Sequence, residues 1–142
     1  MHPYPHIYKT NAVADPESVV RICSPGLEDL VTTPPPEFGG PEGNWSPETL
    51  LTASVADCFI LTFRAIARAS KLEWEELSCT ADGVLDRVDN VTRFTRFDLK
   101  ATLKLAEGAD PAKAERILHM AEKNCLITNS MSSEVNLETE VS

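Results

Sequence analysis

The chain has 142 residues, 42% of them apolar and 25% charged, which is enough apolar material for one packed domain and argues against wholesale disorder. Thirteen Lys and Arg stand against 22 Asp and Glu, a net charge of −9 that disfavours a phosphate-backbone or anionic-membrane partner. No transmembrane segment is expected, because the apolar run from Leu50 to Ala69 is interrupted by Asp57, Arg64 and Arg68. The N-terminus, MHPYPHIYKT, lacks the basic-then-apolar pattern of a secretory signal, and a cytoplasmic location with reduced thiols is the default.

The first ten residues carry two Pro and no periodicity. Asp15-Pro16 predicts a turn, Val19 to Ile22 a short strand, Ser24-Pro25-Gly26 a second turn and Leu27 to Thr33 the return strand of a hairpin. Residues 34 to 46, PPPEFGGPEGNWS, read as a rigid loop of the kind that lines sites.

A long helix follows. Ser46 suits its cap, Pro47 its first position and Glu48 its electropositive first turn. It runs to about Ser70, with Leu51, Val55, Phe59, Thr62 and Ile66 on one stripe and Cys58, Leu61 and Ala65 beside it. A helix apolar on most sides belongs in a core or an oligomer interface.

The period then becomes two. Leu77, Cys79, Ala81, Gly83 and Leu85 alternate with polar residues, as do Phe97, Leu99, Ala101, Leu103 and Leu105. With Asp86 to Thr92 as connection, these form a long antiparallel hairpin whose apolar face the helix can cover. Asp110 and Pro111 open a second helix whose apolar face is Ala114, Ile117, Leu118, Ala121 and Cys125. Val135, Leu137, Thr139 and Val141 then mark a C-terminal strand with an acidic outer face.

Cys58 and Cys125 each occupy an inward helix face, so each reads either as a small packing residue or as a reactive thiol. If they meet, a disulfide cycle becomes possible. Cys79 follows the strand alternation and reads as structural, whereas Cys23 is undecided. His2, His6 and His119 lack the compact spacing of a zinc site. No CxxC, HExxH, Walker loop, GxGxxG or GxSxG occurs. Arg21 interrupts an apolar segment, and a cation near a thiol favours the thiolate.

The segment from Ser46 to Phe59, SPETLLTASVADCF, resembles the central-helix motif of the OsmC/Ohr family. Ala121 to Ser130, AEKNCLITNS, resembles its second-cysteine motif, and Pro36-Glu37-Phe38-Gly39-Gly40 its loop before the helix. The resemblance implies one domain over 1–142 of α+β class, with antiparallel sheets packed on a long central helix and a second helix, in an intertwined homodimer. It also implies thiol-dependent reduction of organic hydroperoxides. Cys58 then matches the peroxidatic cysteine, Cys125 the resolving cysteine and Glu48 the acidic residue ahead of the helix. The family's activating arginine falls where this chain has Asp15-Pro16-Glu17-Ser18, and Arg21 is the nearest substitute. Glu48 stands ten residues before Cys58, about 15 Å along a continuous helix, too far to touch it directly. Neither a metal nor an organic cofactor is required, and the reductant is a small dithiol, a lipoylated protein or a thioredoxin-like protein. The alternatives are an OsmC-like small-molecule binder with little peroxidase activity and a structural homodimer whose motif cysteines only pack.

Overall fold

The computed structural model describes residues 1–142, which fall into two compact units, Met1–Leu50 and Leu51–Ser142. In the first, β1 (Asn11–Val13), β2 (Val20–Cys23) and β3 (Leu30–Thr32) form an antiparallel sheet in that order. The expected hairpin is β2 and β3. The added strand, β1, carries no apolar alternation and is exposed at all three residues, so only its pairing with β2 marks it as a strand. The Pro-rich loop contains one 3-10 turn, Pro36–Phe38, and ties back to β3 through the Thr33 amide, which donates to the Trp45 carbonyl at 3.0 Å. Gly40 is required there, since a Cβ would stand 1.7 Å from the Pro34 carbonyl oxygen.

The helix α1 spans Pro47–Ala69. Its start is closed reciprocally: the Ser46 hydroxyl accepts from the Thr49 amide at 3.1 Å, and the Thr49 hydroxyl accepts from the Ser46 amide at 2.8 Å. Its end is a Schellman turn. The Lys71 amide donates to the Arg68 carbonyl and the Leu72 amide to the Ala67 carbonyl, with Lys71 at φ 56°.

The second unit continues with β4 (Trp74–Val88) and β5 (Val91–Leu105), a long antiparallel pair. The broad connection expected over Asp86 to Thr92 is a two-residue turn. Asp89 and Asn90 both take positive φ, the backbone that matches strand twist, and the strands pair right up to Val88 and Val91. Next come α2 (Pro111–Asn124), a short α3 (Leu126–Asn129) and β6 (Glu134–Val141), which lies parallel to β5. Asp110 caps α2 by accepting from the Ala112 amide at 3.0 Å. The four-residue α3 has no sequence period of its own, so periodicity does not reveal it.

The core lies between α1, α2 and one face of the β4-β5-β6 sheet. Val55, Phe59, Phe63 and Ala67 of α1, each four residues apart, are the fully buried stripe. This stripe shares Val55 and Phe59 with the expected one, while Thr62 and Ile66 sit at its edge. Leu77, Phe97, Leu99, Ala101 and Leu103 supply the sheet face, and Ala114, Ile117, Leu118 and Ala121 the α2 face. Leu85 departs from the expected alternation: a register irregularity between Val84 and Leu85 shifts the pattern, and Leu85 is exposed. Gly83 sits where α1 approaches the sheet, and a Cβ there would meet the Thr52 hydroxyl at 2.6 Å and the Phe94 and Phe97 rings at 2.9 Å.

α1 is long and apolar enough to cross a membrane by length and composition only, and its most apolar window still contains Asp57 and Arg64. One of its faces is packed on the sheet and Leu61 on another is 50% exposed.

Candidate functional site

Cys58 lies midway along α1, half-buried, and Cys125 caps α3 directly after α2, only 1% exposed. Residues distant in sequence thus converge because α1 and α2 pack on the same sheet face. Both thiols are free. Burial pushes the Cys125 thiol above its usual range, while the amide and hydroxyl of Thr128 pull the other way. A hydrogen bond that the Cys125 thiol donates to Cys58, and repulsion from the Cys58 charge, push it up further, so the two side chains interact. The Thr128 hydroxyl also donates to the Cys125 carbonyl at 3.1 Å. One turn beyond Cys58, the Thr62 hydroxyl donates to the Cys58 carbonyl at 2.7 Å and its oxygen lies 3.9 Å from the Cys58 sulfur.

Val55, Phe59, Leu99, Glu122, Thr128 and Val135 close around Cys125 and leave no space that a water molecule could enter. Apart from Glu122 and Thr128 these surroundings are hydrocarbon, so the thiol is held in apolar packing. Phe59 is among them, fully buried. Phe38 and Trp45 stand in the first unit, 58% and 49% exposed. Asp57, next to Cys58, is exposed to solvent, which meets its need for hydration.

Arg21 extends from the solvent face of β2, and its guanidinium lies 3.8 Å from the Asp29 carboxylate. Glu48 occupies the first turn of α1, half-buried, where the helix dipole favours its charge. The two cysteines are therefore the pair of named residues brought together directly. Cys79, on the core face of β4, is pushed up to about 11, first by burial and then by the nearby Cys125. It is a poor nucleophile near neutrality. Cys23, at the end of β2, is held above its usual range by a hydrogen bond to Asp29. Thr62 and Thr128 are site residues that spacing around the cysteines did not single out. Their signal was a hydroxyl residue one helical turn beyond each thiol.

The fold has known counterparts. A solved OsmC-like protein of unknown function from Vibrio cholerae superposes with a TM-score of 0.88 at 20% identity, over 95% of this chain and 99% of that one. The uncharacterized protein YmaD of Bacillus subtilis is 28% identical over 141 residues, 96% of this chain and 93% of its own. Peroxiredoxin OsmC of Escherichia coli is 26% identical over 104 residues, 73% of this chain and 71% of its own. Residues 39–140, which hold both cysteines and all but the first strands of the fold, match the family described as OsmC-like protein, and to that family the chain belongs.

Proposed function

We propose that this protein, read as one domain over 1–142, reduces organic hydroperoxides to alcohols through a cycle of two cysteines. Family membership and a relative named as a peroxiredoxin support a peroxidase-like role. The observation that supports the finer reading is the interaction of the Cys58 and Cys125 thiols in apolar surroundings.

The Cys58 thiolate attacks one peroxide oxygen, the O–O bond breaks, and the alkoxide leaves and takes a proton to become the alcohol. Cys58 is then a sulfenic acid. Cys125 gives up its proton and attacks the Cys58 sulfur, releasing water and closing the disulfide. A dithiol, free, lipoylated or on a thioredoxin-like protein, donates two electrons to reopen it and is itself oxidised to a disulfide. The raised Cys125 thiol suits the second role, since it stays protonated and unreactive until a sulfenic acid forms beside it. Arg21 is our candidate for the cation that favours the Cys58 thiolate, with Glu48 orienting it. The exposed pair of Arg21 with Asp29 holds by less than about 1 kcal/mol and is readily exchanged.

We further propose that two copies assemble through the uncovered face of α1, and that the protein works in the cytoplasm, where four free thiols stay reduced.

The test is stopped-flow oxidation of the reduced protein by cumene hydroperoxide, followed by mass mapping. Wild type yields the Cys58–Cys125 disulfide. C58S loses peroxide consumption, and C125S stops at a sulfenic acid that dimedone traps. Equal consumption by wild type and C58S overturns the assignment, and ligand binding without thiol loss favours the small-molecule binder.

A further inference from the structure

The Thr62 hydroxyl has one proton and two lone pairs. In the reduced protein its proton goes to the Cys58 carbonyl at 2.7 Å, which turns its lone pairs toward the Cys58 sulfur 3.9 Å away. That carbonyl lies in the interior of α1, where it also accepts the regular helical bond from the amide four residues on. The hydroxyl bond to it is therefore surplus, and withdrawing it leaves no buried oxygen unpaired. A bond from a hydroxyl to a thiolate is charge-assisted and about twice as strong as a neutral one. Once Cys58 ionises, the balance favours the sulfur.

We propose that Thr62 is a positioning residue for Cys58, its hydroxyl proton turning from the Cys58 carbonyl to the sulfur as the thiol ionises. No atom is transferred, since the O–H bond only rotates. The inference rests on Cys58 being the attacking thiol. At the second cysteine the Thr128 hydroxyl likewise donates to the Cys125 carbonyl, at 3.1 Å.

The test reads the pH dependence of Cys58 alkylation by iodoacetamide, followed on the Cys58 peptide by mass spectrometry, in the full-length reduced protein. T62V keeps the shape and removes the hydroxyl, whereas T62S keeps the hydroxyl and removes a methyl. In T62V the midpoint rises by about one pH unit, a roughly tenfold loss of thiolate below it. T62S retains the wild-type midpoint, and T62A, the second hydroxyl-free variant, follows T62V. Peroxide consumption by T62V falls at pH 7 and recovers above the new midpoint. An unmoved midpoint in T62V and T62A overturns the proposal, as does an equal shift in T62S, which assigns the effect to packing. Unchanged peroxide consumption in C58S sinks the peroxidase reading instead, and the alkylation profile still decides the role of Thr62.

Discussion

Cys79 shows how its surroundings, rather than residue type, decide what a thiol does. It shares a sheet face with the core, and burial there holds its proton to about pH 11. Folding therefore raises its pKa above the unfolded value. The stability it brings is complete below the unfolded pKa and is lost as pH climbs toward the folded one. We expect wild type to lose on the order of 1–2 kcal/mol between pH 9 and 11 through this group, and C79A to lose correspondingly less, as urea unfolding across that range would show. Iodoacetamide at pH 8 should label Cys79 only after unfolding. The structural role expected of Cys79 from strand alternation agrees with its position. What alternation does not convey is its neighbour Cys125, because strand periodicity assigns a face and says nothing of which helix residue arrives over it. Thr62 and Thr128 differ from this case, since each lies one helical turn beyond its cysteine and that spacing is written in the sequence.

At the level of elements, reading by period recovered α1, α2, β4, β5 and β6, since each pairs a long apolar pattern with an identifiable start. The features it missed are those set by backbone conformation or pairing. Leu85 shifted because one register irregularity displaced the alternation beyond Val84, and β1 is defined only by its hydrogen bonds to β2. Two backbone sites give sharp tests. Lys71 holds a left-handed conformation at the end of α1 that costs a side chain more than it costs Gly, so K71G should stabilise by about 0.5–1 kcal/mol in urea unfolding. Gly83 has the opposite sign. G83A drives a methyl group into the Thr52 hydroxyl and two phenyl rings and should destabilise by about 1–3 kcal/mol, measured the same way.

Across the molecule, the family and fold were legible because two separated cysteine motifs lie in a layout that few folds share. Assembly was not legible in that sense. It enters through α1, whose sheet-side stripe is covered while Leu61 remains half in solvent. The proposed two-copy state predicts a sedimentation mass near twice that of the chain, and L61E should lower it toward one. A monomeric wild type would remove that part of the proposal without touching the chemistry of the two thiols.

β6 lies at the edge of its sheet, paired only with β5, and its Val135 packs beside Cys125. A strand bonded along one side parts more readily than one bonded along both. Brief detachment of β6 therefore uncovers the Cys125 sulfur while both helices stay folded, and V135A, which weakens that cover, should speed alkylation of Cys125 in the reduced protein.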